Sequence, residues 1–72
     1  MIQSVIIKKT MGLKKAIDWI KTHGYTYGKM DETQHFYRFR QMNPSPNFEY
    51  ATKQITHEIE LVLAFPHSAF VP

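Results

Sequence analysis

One stretch of the chain, "TMGLKKAIDWIKTHG" from Thr10 to Gly24, carries the period of a helix, and the residues around it read as strand or loop. Within it Leu13, Ala16, Ile17 and Ile20 recur at i, i+3, i+4 and i+7 and collect into one apolar stripe. A lone amphipathic helix has no second helix to receive that stripe, so it must lie on a sheet. Thr10 is placed to cap its N-terminus, and Gly24 to supply the residue that ends it. Lys14, Lys15, Asp18 and Lys21 fall on the other side, where Asp18 lies one turn from the lysines and a solvated, weakly ion-paired face is expected. Trp19 falls at the margin of the stripe, where an indole covers a sheet edge or meets a partner.

The strands must then come from the rest. Ile2 to Lys9 is an apolar, β-branched run that ends in two lysines. Residues 35 to 42, "HFYRFRQM", form a second strand, introduced by the polar "YTYGKMDETQ" and stopped by "NPSPN", whose prolines cannot donate to a ladder. "FEYATKQI" reads as a short extended piece. "EIELVLAF" is the most apolar strand, with Ile59, Leu61, Leu63 and Phe65 on one face, and is expected at the centre. The expected fold is therefore α+β: a single β-α-β-β domain over residues 1–65, with a three-stranded, mainly antiparallel sheet. Its first two strands would be parallel edges, and one helix would cover one face. "PHSAFVP", residues 66–72, is expected to be an extended tail.

A chain of 72 residues buries only about 60% of its unfolded surface, and this one has no cysteine to staple it. Its four histidines, His23, His35, His57 and His67, lack the spacing that sets two ligands on one helix face, so neither a metal nor another cofactor is expected. Self-association into a homodimer is the remaining support. The formal charge of +3 and a pI near 9.3 lean toward anionic partners, DNA or RNA among them. No apolar run approaches the roughly eighteen residues of a membrane span, and the N-terminal charges follow the apolar stretch, the reverse of a signal peptide, so an intracellular protein without a membrane partner is expected.

Alternation along "HFYRFRQM" puts Tyr37 and Phe39 on the helix-covered side and Phe36, Arg38, Arg40 and Met42 on the open side, near Glu60 and Val62. Two readings follow. In one, Arg38 pairs with Glu60 or another acid, and Phe36 helps to form a dimer interface with Met42, Val62 and Phe70 of the tail. In the other, Arg38, Arg40 and Lys29 meet phosphates while Phe36 or Tyr25 stacks on a base, with Trp19 as a further partner contact. Catalysis is not expected. Asp31, Glu32, Glu58 and Glu60 lack a cleft to tune them, Ser4, Ser45 and Ser68 lack a nucleophile elbow, and "GYTYGK" follows a helix where a phosphate-binding loop would open one.

The segments "IQSVIIKK", "AIDWIKTHGY", "GKMDETQHFYRFRQ" and "IELVLAF", in that order over most of residues 2 to 65, resemble a small domain of tailed-phage and giant-virus proteins. In phages that domain accompanies head-maturation protease-like and structural modules. The resemblance rests on Trp19, Lys21, His23, Gly24, Lys29, Asp31, Glu32, Thr33, Tyr37, Arg38, Phe39, Arg40 and Gln41. It implies a viral source, a βαββ-like module and no catalyst. The expected role is an accessory protein of an infected host cell, in cytoplasm, viral factory, nucleus or virion, that binds nucleic acid. The alternative is a structural module that contacts a viral or host protein. Ala51 stands where a basic residue is expected, and the tail extends past the domain's usual end.

Overall fold

The strand β1 (Ile2–Lys8) is the one on which the rest is assembled. A 3₁₀ turn (Lys9–Met11) leads to helix α1 (Leu13–Thr22), then β2 (Met30–Glu32), β3 (Phe36–Arg40), β4 (Phe48–Thr56) and β5 (Ile59–Pro66). The computed structural model describes residues 1–66. The class is α+β as expected, but the sheet has five strands, not three, in the order β2-β3-β1-β5-β4 with every neighbouring pair antiparallel.

Two strands were hidden for different reasons. β2 has only three residues, Met-Asp-Glu, too few and too polar to show alternation. β4 is the longest strand, yet eight of its nine residues, 49 to 56, are exposed, so no buried face marks it. It forms a hairpin with β5 across His57 and Glu58. That turn has no residue of positive φ, and the bulge between Gln54 and Thr56 adjusts the strand twist that a primed turn would otherwise supply.

The short β2 also accounts for the topology. The β2–β3 hairpin reverses the chain once more after the helix, so β3 returns antiparallel to β1 and pairs with it directly. The central strand is consequently β1 and not β5: β3 and β5 lie on either side of it, and β1 and β3 are neighbours where the expectation set β5 between them. β5 extends to Pro66, and the remaining tail residues 67–72 lie outside the described residues.

The core lies between α1 and one sheet face. Val5, Ile7, Ala16, Ile20, Phe39 and Ile59 are its buried members, with Ile17, Trp19, Tyr25, Tyr37 and Leu61 packed around them. Full burial contributes about 1.5–3 kcal/mol for each large apolar side chain, so Phe39, Ile7, Ile20 and Ile59 dominate. Leu13, expected in the stripe, is 41% exposed; Met11 of the 3₁₀ turn packs on the cluster. Gly12, at φ +87°, takes the N-cap position, and its carbonyl accepts from Ala16 N–H at 3.0 Å. The Thr10 hydroxyl, the expected cap, donates to Glu58 Oε2 at 2.8 Å and so ties the turn to the β4–β5 hairpin. At the other end Gly24, at φ +77°, donates to the Lys21 carbonyl, and Tyr25 to that of Ile20, which closes the helix as expected.

Candidate macromolecule-binding face

The sheet face away from α1 begins with a defect in β1. Its register to β5 runs from Ile2↔Leu63 directly to Ser4↔Val62, so Gln3 is an extra residue. The bulge leaves Gln3 and Ser4 buried, at 2% and 0% exposure, and turns both polar side chains toward Arg38. The Ser4 hydroxyl donates to Gln3 Oε1 at 2.6 Å, Arg38 Nη2 donates to the same oxygen at 2.9 Å, and Arg38 Nε donates to Ser4 Oγ at 3.1 Å. Gln3 Nε2 donates to the Met42 carbonyl at 3.0 Å, while the Gln3 carbonyl accepts from Gln41 N–H at 2.8 Å. This network fixes the guanidinium against the sheet and ties the exit of β3 to the bulge. Among the described residues no buried side-chain polar atom lacks a partner.

Arg38 does not pair with Glu60. β1 stands between β3 and β5, and Ile6 occupies the position opposite both residues. Asp31 lies opposite Arg38 in the β2–β3 register, but its Oδ2 turns to Arg40 Nη2 at 2.7 Å. That pair is well exposed, so it contributes about 0.2–1 kcal/mol. The acceptors that hold Arg38 among the described residues are thus an amide and a hydroxyl, neither of which carries a charge.

Further cations gather along the same face. Lys8 is opposite Phe36 in the β1–β3 register. Continuing the β2–β3 register by one residue sets Lys29 opposite Arg40, and the Lys29 carbonyl accepts from Arg40 N–H at 2.9 Å. Four cations, Lys8, Lys29, Arg38 and Arg40, therefore share the face with two carboxylates, Asp31 and Glu60. A hollow of about 360 Å³ opens at the Phe36 end, lined by Lys8, Lys9, Gln34, His35 and Phe36. A smaller one of about 260 Å³ lies at the other end, between Gln3, Arg38, Pro44, Tyr50 and Val62. Its wall is the "NPSPN" loop, which Tyr50 holds: the phenolic oxygen accepts from Ser45 N–H at 2.7 Å and donates to the Ser45 carbonyl at 2.9 Å.

Of the residues expected to form a binding surface, Phe36, Arg38, Arg40 and Lys29 come together here. Val62 joins them as a wall of the smaller hollow, and Met42 acts through its backbone. Tyr25 and Trp19 do not join. Both lie on the helix side, where Trp19 stacks on His23 with centroids 3.8 Å apart and Tyr25 packs against the core, so Tyr25 is out of position to stack on a base beside Arg38. Phe70 lies outside the described residues. The helix cations Lys14, Lys15 and Lys21 are in the opposite layer. Gln3, Ser4 and Tyr50 were not anticipated. The adjacent polar pair Gln3-Ser4 inside an apolar strand was the readable sign, because strict alternation admits only one polar residue at a time.

Among the described residues no three His, Asp or Glu side chains gather as metal ligands, and no helix is long and apolar enough to cross a membrane. Compared with protein-family models, with curated proteins and with solved structures, the chain matches none.

Proposed function

We propose that this chain is a small binding module, with no catalytic role, that self-associates and uses the sheet face opposite α1 to contact nucleic-acid phosphates without sequence preference. The resemblance noted over most of residues 2 to 65 supports an accessory role in an infected cell. The observation that carries the proposal is the setting of Arg38: neutral acceptors orient it, Asp31 turns away from it to Arg40, and Lys8 and Lys29 extend the positive surface to either side. An oriented guanidinium loses little rotamer freedom when it meets a phosphate. Phe36, half-buried at the end of the row, offers a ring on which an unpaired base can stack.

The clean test uses the lysines, which make no side-chain ion pair among the described residues. Lys8→Ala with Lys29→Ala should leave the thermal midpoint in place and weaken oligonucleotide binding. It should also reduce the slope of log affinity against log salt by about 1.8 on duplex DNA, at about 0.9 per phosphate contact. Fluorescence anisotropy at several salt concentrations reads both quantities. A wild-type protein with no salt-sensitive binding at low ionic strength would contradict the proposal.

A second reading has its own observations. The Arg40–Asp31 pair and the Arg38–Gln3–Ser4 network both stabilise the fold directly, as a structural or protein-contacting module would need. Under that reading the lysine variants change nothing, and the partner is a protein.

A further inference from the structure

The two edges of the sheet differ. β2 is three residues long and carries Asp31 and Glu32, the short, charged form in which edges resist pairing. β4 runs for nine residues, has no proline, and is bulged only after Gln54, so Phe48 to Gln54 is regular; among the described residues no strand pairs with its outer side, where only the Phe48 N–H is already taken, by the Ser45 carbonyl at 3.3 Å.

Which backbone groups face that side follows from the ladder. Lys8 N–H donates to the Glu58 carbonyl and Ala64 N–H to the Met1 carbonyl, so the even-numbered residues of β5 turn their backbone toward β1. The odd ones, Leu61, Leu63 and Phe65, turn toward their β4 partners Lys53, Ala51 and Glu49. By alternation Tyr50, Thr52 and Gln54 present their N–H and C=O groups outward.

We propose that this edge pairs antiparallel with the same edge of a second copy, about a two-fold axis through Ala51, which joins the two sheets into one. The inference rests on the self-association in the functional reading above and names its surface. Ala51 is the midpoint of the regular stretch. Centring there brings the outward groups of Tyr50 against those of Thr52 in the second copy, and the Gln54 N–H toward the Phe48 carbonyl, the Phe48 N–H being held by Ser45. On the helix-side face the same register sets Glu49 directly opposite Lys53 of the second copy, twice by symmetry, with only the small Ala51 pair between them. Shifting the centre to residue 50 or 52 loses both charge matches. The occupant is therefore a copy of this strand, whose charge order is self-complementary about its own centre.

The test uses the chain's lack of cysteine. Ala51→Cys places two thiols across the axis at a non-hydrogen-bonded pair, about 4.5 Å between Cα atoms, within the span of a disulfide. Mild oxidation should crosslink it to a dimer nearly completely, while Gln34→Cys, exposed and remote from β4, should crosslink only slowly. Light scattering should find the wild type dimeric at tens of micromolar, Lys53→Glu monomeric, and Lys53→Glu with Glu49→Lys dimeric again. A dimer indifferent to Lys53→Glu, whose Ala51→Cys form crosslinks no faster than the control, would overturn this interface and leave self-association standing. A monomeric wild type would overturn both.

Discussion

Replacing Gln3 by Met keeps the length and apolar stem of a side chain that is 2% exposed and removes its amide. Two neutral hydrogen bonds disappear, from the Ser4 hydroxyl and to the Met42 carbonyl, at about 0.5–1.5 kcal/mol each. The bond from Arg38 Nη2 goes as well, and a bond to a charged group contributes about 1.5–3 kcal/mol. Gln3→Met should therefore destabilise by about 2.5–6 kcal/mol. Arg38→Ala deletes its bonds to both Gln3 and Ser4 and should cost about 3–4 kcal/mol, the low end of two such bonds, because Ser4 and Gln3 keep their bond to each other and the residue is only half-buried. Both variants delete the Arg38–Gln3 bond, so the double variant should fall short of the sum by about 1.5–3 kcal/mol. Urea denaturation of the four proteins measures this, with sucrose in all samples to keep the double variant folded, since a chain of this length has only about 4–11 kcal/mol in total. Single effects that add to within about 0.5 kcal/mol would show that the guanidinium is not held by the amide.

Ile20→Ala, at a fully buried core position, should cost about 2–5 kcal/mol in the same assay, whereas Leu13→Ala, exposed at the first turn, should stay within about 0.5 kcal/mol. Gly12→Ala should lower stability by about 1–3 kcal/mol through backbone strain alone, since no atom lies within 4 Å of the added methyl group. Gly28→Ala, with equal space and no positive φ, should change the thermal midpoint little. Phe36→Ala should weaken single-stranded oligonucleotides by about 1–3 kcal/mol in anisotropy titrations and spare duplexes.

What could be read in advance followed strong periods. The helix, its buried Ala16 and Ile20, the closing Gly24 and the split of Tyr37 and Phe39 from Arg38 and Arg40 all come from spacing that packing then enforces. The strand count did not, because β2 is too short for a period and β4 lies beyond the cover of α1, where neither face of a strand need be apolar. One unseen reversal then misdirected β3 and displaced β1 from the centre. On the candidate face, the residue types were legible and their partners were not. Arg38 lies two strands away from Glu60, and its actual acceptors depend on a bulge that only a polar pair at Gln3-Ser4 announces.

The Nε–Hε signals of Arg38 and Arg40 in a nitrogen-15 NMR spectrum, followed as a short single-stranded oligonucleotide is added at low salt, test the binding face most directly. Both signals should move together with the amides of Lys8, Lys29 and Phe36, and the movement should reverse as salt is raised, while the amides of Lys14, Lys15 and Lys21 on α1 stay in place. Shifts confined to α1, or an unchanged spectrum at a several-fold excess of oligonucleotide, would contradict the assignment of this face.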